Sequence, residues 1–368
     1  MKRMLLVSAL AGTASAALAG APQYTIIDMG LVQPGDFAAQ GFGISPGGVA
    51  VGRSIGSPTQ AFMHTAGGGL MGLPNDPTRD FGVANGANDS GAVVGTGSTT
   101  PFGSGPLPLI WNNGVVSQLP LHAGAGGAAR ANDINDDGVA VGSSNGGSLE
   151  FATYWSGGVA NAITATTPGG ASMTTAFRVN NDGMAVGNGI DPNALARNVP
   201  LVYDIDAGTL MEIPSLAGDN GGIAFDVSEN GFVTGSSSFN QTGSNPFIWS
   251  SGTGTIEVPL PVGASQGSGR GVNSSGWVVG TGSGVFALPF LFDGTDTYLL
   301  QDLIPGGSGW DLSMNTSSSA FGIAEDGTIV GTGVFNGETR AYRMTLIPAP
   351  GAASILGVGA LAFVRRRR

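Results

Sequence analysis

Seven copies of one twelve-residue pattern recur along the chain at intervals of 43 to 51 residues, and a period of that length restricts the fold to a repeat architecture. Each copy opens on a small residue and closes on a glycine: Gly41 to Gly52, Ala84 to Gly95, Ala131 to Gly142, Ala176 to Gly187, Ala224 to Gly235, Gly269 to Gly280 and Ala320 to Gly331. Four residues before each closing glycine stands a second one, from Gly48 in the first copy to Gly327 in the last. Three residues ahead of that inner glycine are Ser45, Asn88, Asn135, Asn180, Ser228, Asn273 and Ala324. Asn or Ser at the first position and Gly at the fourth marks a type I turn, with the glycine left-handed to close a hairpin. β-Branched residues flank the turn, as at Ile44, Val93-Val94 and Ile329-Val330, which favours strands on both sides.

A third strand is predicted after each hairpin, ending on a large side chain: His64, Trp111, Trp155, Tyr203, Trp249, Phe292 or Met344. A fourth follows, as in Val115 to Leu119, Leu210 to Ile213, Ile256 to Val258 and Tyr298 to Leu303. Four antiparallel strands in about 45 residues is one blade of a β-propeller. After Met344 too little chain is left for a fourth strand, whereas Tyr24 to Met29 reads as a lone strand ahead of the first hairpin. The expected fold is therefore an all-β, seven-bladed propeller over 20–347, closed by its N-terminal strand.

Residues 1–19 have the three parts of a secretory signal: Lys2-Arg3, an apolar run, and the small-residue exit Ala17-Leu18-Ala19. Cleavage is expected after Ala19, with Ala16 as second choice. Cysteine is absent, so disulfides cannot support the fold even in the oxidising compartment that export implies. Six of the 14 basic residues lie in the end segments, at Lys2, Arg3 and Arg365 to Arg368, while all 25 acids lie between them. A central segment so acidic repels phosphate backbones, which excludes nucleic acid as a partner.

Residues 348–368 form a separate segment. Pro348-Ala349-Pro350 precedes an apolar run from Gly351 to Val364, and Arg365, Arg366, Arg367 and Arg368 close it. That run is shorter than the roughly 18 to 20 residues of an unassisted membrane helix, although terminal arginines can snorkel. The segment resembles the PEP-CTERM sorting signal, with Ala349 in place of the family's Glu. The resemblance implies a C-terminal apolar helix, transient or permanent membrane contact, and export machinery including an exosortase as partners. The seven hairpins and their third strands resemble the HAF family of extracellular bacterial repeats, on Gly322-Ile323, Val272-Asn273, Asn135 to Gly138 and Ala61-Phe62. The histidine that names that family is missing here: Gln60 and Arg340 precede the corresponding Ala. An exported repeat protein at the cell surface or outside the cell is what this second resemblance implies.

No motif calls for a cofactor, a metal or a catalytic residue. His64 occupies a slot held elsewhere by aromatic rings, and His122 has no neighbouring nucleophile pattern, so a Ser-His-Asp mechanism lacks a base. Asp133 to Gly138 matches the opening of a calcium loop, but its twelfth position is Ser144 and the same residues form the third hairpin turn. In a four-stranded meander the uniform hairpins emerge on one face and the variable loops on the other, where recognition usually lies. Trp310 is the large aromatic there that no repeat position explains, which makes it a candidate ligand contact if it does not pack beneath its own loop. Two functions follow. The first is a non-catalytic surface or matrix protein that binds extracellular polysaccharide or protein through the variable-loop face. The second is a glycan hydrolase or lyase using carboxylates near the axis, whose separation no sequence spacing reveals.

Overall fold

Each hairpin motif forms the two inner strands of one blade, and both ends of the motif have a steric cause. The computed structural model describes residues 20–101, 103–146, 150–193 and 197–348. The signal segment, and the sorting segment from Ala349 onward with its expected apolar helix and Arg365 to Arg368, lie outside them. Among the described residues no helix is long and apolar enough to cross a membrane. In every blade the opening small residue pairs with the closing glycine, as in Gly41 with Gly52 and Ala320 with Gly331. One extra residue then bulges from the inner strand: Phe42, Asn85, Asn132, Phe177, Phe225, Arg270 or Phe321. The bulge pushes a carbonyl against the closing glycine, so a Cβ at Gly331 would overlap the Ser319 oxygen, and the same overlap recurs in the other six blades.

Six sheets have four antiparallel strands in simple meander order, for example Phe81–Ala87, Val93–Ser98, Leu107–Asn112 and Val115–Gln118 in the second blade. The seventh blade contains Ser319–Ile323, Ile329–Phe335 and Glu338–Leu346, and the N-terminal strand Tyr24–Asp28 completes it, with Tyr24 opposite Leu346 and Asp28 opposite Tyr342. The ring is closed as expected. A further short strand, Trp310–Asp311, pairs with Phe335 and Val334, so this last sheet has five strands. The fourth strand of the sixth blade is also shorter than expected: Thr297–Leu299 is extended, but Leu300–Leu303 is a 3-10 turn.

Neighbouring blades pack through the large residue that ends each third strand. Trp111 is buried against Val51, Ala61 and Leu73 of the preceding blade, and its indole N–H donates to the Pro74 carbonyl at 2.7 Å. Trp155 makes the equivalent bond to Pro120, also at 2.7 Å. His64 fills the same slot and is buried, with its Nδ1 unpaired among the described residues. Burial and the nearby Arg343 hold its pKa below the usual histidine value, so its ring is neutral.

Candidate functional site

The seven inner strands surround a narrow axial channel. One residue after each bulge, the chain approaches the axis most closely, and the seven residues there are Gly43, Gly86, Asp133, Arg178, Asp226, Gly271 and Gly322. Glycine is required where strands crowd: a Cβ at Gly271 would lie 2.8 Å from the Gly322 Cα, and one at Gly43 2.6 Å from the Asn85 carbonyl oxygen. The three charged side chains fill the space that the glycines leave. Arg178 reaches across the ring, donating to the Phe42 carbonyl of the first blade at 3.2 Å and to the Asn132 carbonyl of the third at 3.1 Å. Its Nε lies 3.8 Å from Asp226 Oδ1 in the fifth blade.

Both aspartates tie one blade to the next. Asp133 Oδ2 accepts the Val179 N–H at 3.1 Å, and Asp226 Oδ2 accepts the Val272 N–H at 2.8 Å. Burial pushes Asp226 up to about 7 and Asp133 up to about 6, against the opposing influence of Arg178. Desolvation wins because the guanidinium spends its terminal nitrogens on carbonyls and stands too far from Asp226 for a direct hydrogen bond. The free volume of the channel is about 50 Å³, room for a few waters and too little for a sugar ring.

Above this clasp, on the hairpin face, the turns form two circumferential chains. Asn88 Nδ2 donates to the Asn135 carbonyl, Asn135 to that of Asn180, and Asn180 to that of Ser228, at 3.0 to 3.1 Å. Each of these Asn side chains also accepts its own turn's N–H through Oδ1, at Ala92, Val139 and Met184. The next turn position continues the pattern outside: Asp89 accepts the Gly47 N–H, Asp136 that of Asp89, and Glu229 that of Asn181. Asp133 to Gly138 is thus a hairpin turn, with Gly138 at φ +77° and its N–H on the Asn135 carbonyl.

The opposite face, which carries the variable loops, is open. Two pairs of bulge phenylalanines line the entrance: Phe42 with Phe321, ring centroids 5.6 Å apart and edge-on, and Phe177 with Phe225, also 5.6 Å apart. An arginine lies over one ring of each pair, Arg53 at 5.6 Å from the Phe42 centroid and Arg270 at 3.9 Å from that of Phe225. Beside them are two grooves. One, of about 350 Å³, spans the first three blades and is lined by Arg53, Asn85, Thr96, Arg130 and Asn132 among others. The other, of about 440 Å³, spans the fourth to sixth blades and includes Asn198, Ser236, Gln266, Ser268 and Arg270.

The residues singled out from sequence fall elsewhere. Trp310 is 7% exposed, stacked on Phe335 at 4.9 Å and edge-on to Tyr342 at 5.9 Å, so it packs inside the seventh blade and offers no face to a ligand. Of its two readings packing therefore holds and the candidate contact is withdrawn: the short strand Trp310–Asp311 turns it inward. His122 packs edge-on against Phe151 and accepts the Gly124 N–H, a local loop role. Sequence reasoning did not find the axial Asp133, Arg178 and Asp226. The available signal was their shared repeat position, which is glycine in the other four copies.

No family model matches the chain, and no curated protein matches its sequence. Solved structures match by shape. Virginiamycin B lyase from Staphylococcus aureus superposes with a TM-score of 0.51 at 11% identity, covering 88% of this chain and 99% of that one. Oligogalacturonate lyase from Vibrio parahaemolyticus does so with 0.52 at 10% identity, covering 87% and 93%. TolB from Acinetobacter baumannii gives 0.46 at 12%, and the match spans 65% of that chain. Likeness at this level of identity establishes the propeller fold alone.

Proposed function

We propose that this chain is an exported, non-catalytic surface or matrix protein that binds extracellular polysaccharide or protein through the variable-loop face. The observation that carries the reading is the contrast between the two faces of the ring. The open grooves, of about 350 and 440 Å³, fall in the roughly 300–1,000 Å³ range of small-molecule sites and combine hydroxyls, amides and arginine side chains. The axial carboxylates, in contrast, are committed to backbone N–H groups within a channel of about 50 Å³. A glycosidase needs its two carboxylates on either side of a bound sugar, and that channel has no space for one. The resemblances to HAF repeats and to a PEP-CTERM tail support export and sorting, the latter through Pro348, Ala349, Pro350 and the terminal arginines.

The test is a glycan-binding screen of the full chain, with release of reducing ends and of unsaturated ends measured in parallel. Saturable binding without product is expected. Turnover of any bound glycan would replace this reading with the hydrolase or lyase alternative.

A further inference from the structure

Charge is distributed unevenly around this ring. The described chain contains all 25 acids and eight arginines, yet no Asp or Glu lines either groove of the variable-loop face, while arginines line both. The channel mouth on the other face has the opposite character, with Asp136, Glu229 and Glu325 beside Asp133 and Asp226.

Among the described residues the groove arginines lack a carboxylate partner, as do Arg79 and Arg343, which line neither groove and donate to the Gly105 and Gly48 carbonyls. Arg178, Arg197 and Arg340 each have a carboxylate within 4.0 Å: Asp226 for Arg178, Asp191 for Arg197, and both Asp28 and Glu338 for Arg340. Among the described residues Arg53, Arg130 and Arg270 have none. Arg53 donates from Nε to Gln40 at 2.9 Å, Arg270 from Nε to Ser268 at 3.1 Å, and Arg130 only to the Gly103 carbonyl at 3.4 Å. Burial lowers the pKa of Arg53 and of Arg270, yet a guanidinium remains charged in any protein environment. A partly buried cation without a counter-charge is costly unless an anion completes it.

Nε of Arg53 and of Arg270 is held by a neighbouring side chain, and each guanidinium lies over a phenylalanine ring. The planar fork is therefore oriented before a ligand arrives, which suits bidentate capture of a carboxylate or sulfate. Phe81 and Val83 in one groove and Ile223 in the other supply apolar contact for the body of a sugar. The net negative charge of the chain opposes any polyanion at long range, as it does a nucleic acid, but exposed charges beyond about 8 Å are screened at physiological ionic strength, so recognition rests on short-range pairing at arginines in grooves that no Asp or Glu lines.

We infer that the two grooves are anion-reading subsites for an acidic polysaccharide, whose carboxylate or sulfate groups complete Arg53 and Arg130 on one side of the axis and Arg270 on the other. The inference rests on the binding role proposed above for this face and specifies its ligand class.

The experiment measures binding of the full chain to polygalacturonate, chondroitin sulfate and neutral dextran, for wild type and for Arg270→Gln, Arg53→Gln and Arg130→Gln. Arg130 is exposed and its one hydrogen bond, to the Gly103 carbonyl, is long, so Arg130→Gln is expected to fold and stays informative if either buried arginine proves necessary for folding. Binding to one of the two polyanions, weakened roughly ten- to a hundredfold by each groove substitution as expected for lost charged hydrogen bonds, supports the inference. Preference between the polyanions tells carboxylate from sulfate. Arg340→Gln, which removes a paired arginine outside both grooves, is expected to bind as wild type does. Equal binding of dextran, unchanged in the groove variants, overturns the anionic class and leaves the binding face standing. Absence of binding to all three polymers overturns the acidic-polysaccharide inference, and a screen that then finds no ligand of any kind overturns the binding face as well.

Discussion

Replacing Asp226 by Asn isolates the energetic cost of the axial charge. In the folded ring burial raises Asp226 from 3.8 to about 7. Between those two values the folded state binds a proton that the unfolded chain has released, so stability falls as pH rises through this window and levels off above it. One pKa unit corresponds to about 1.4 kcal/mol, and a shift of roughly three units to a penalty on the order of 4 kcal/mol at pH 8. Asn keeps an oxygen for the Val272 N–H, which the carboxylate accepts at 2.8 Å, but carries no charge to desolvate. Relative to Asp226→Asn, wild type is therefore expected to lose about 4 kcal/mol of stability between pH 4 and pH 8. For a ring of the length of Gln23–Pro348 that corresponds to a melting shift on the order of 6 °C, at about 2 cal/mol/K of unfolding entropy per residue.

The assay is urea unfolding of both proteins across that pH range, because the difference between them cancels the other carboxylates. Asp133, raised to about 6 and facing the same guanidinium, titrates with Asp226 as a pair, so the curve reports macroscopic values. Parallel pH profiles would show that desolvation does not dominate. A wild type that gains on the variant as pH rises would show that attraction to Arg178, with Nε 3.8 Å away, outweighs burial and would reverse the argument.

Three further outcomes follow from the blade contacts. Asn180→Ala strands the Met184 N–H and removes one of two donors from the Ser228 carbonyl, which keeps the Gly231 N–H, and is expected to cost about 1 to 3 kcal/mol by urea unfolding. Gly331→Ala is expected to be more damaging than Gly138→Ala, whose added Cβ meets nothing within 4 Å and costs about 1 to 2 kcal/mol for its left-handed backbone; soluble yield and melting temperature compare them. Deleting Ala21 to Leu31 removes the five pairs from Tyr24–Leu346 to Asp28–Tyr342 and exposes an edge, so the truncated chain is expected to melt lower and to self-associate on gel filtration, and an unchanged monomer would refute closure by this strand.

The blade count, the hairpins and the closing strand were all legible because they depend on local chemistry that repeats. Gly276 must adopt φ +76° wherever that turn occurs, and Trp111 or Trp249 must fill the same gap between blades, so seven copies report one requirement seven times. The axial clasp was not legible, because it is the place where the repeats differ. Asp133, Arg178 and Asp226 occupy one repeat position in three adjacent blades, and each looks like an isolated exception in sequence. Only closure of the ring brings the Arg178 side chain to Phe42, 136 residues earlier. Trp310 was left between two readings, ligand contact or packing, for a related reason: the strand that turns it inward is two residues long and pairs across the sheet with Phe335, a partner that no local pattern announces.

One ring can keep its scaffold apart from the face proposed for binding. A seven-fold repeat with glycine at every axial position would leave a hollow lined by backbone, and three side chains are enough to fill it because four neighbours remain glycine. Arg178 compensates part of the charge that Asp133 and Asp226 bring, and its bonds to the first and third blades tie across the axis strands that the hairpin turns link only to their neighbours. The hairpin face is then committed to holding the ring together, since its Asn and acidic side chains are spent on the next blade's backbone. Arg53, Arg130 and Arg270, which have no carboxylate within 4.0 Å, lie on the other face, beside loops whose length and composition vary from blade to blade. Substitutions at the clasp should therefore change stability and its pH dependence, whereas substitutions at Arg53, Arg130 or Arg270 should change what the ring binds.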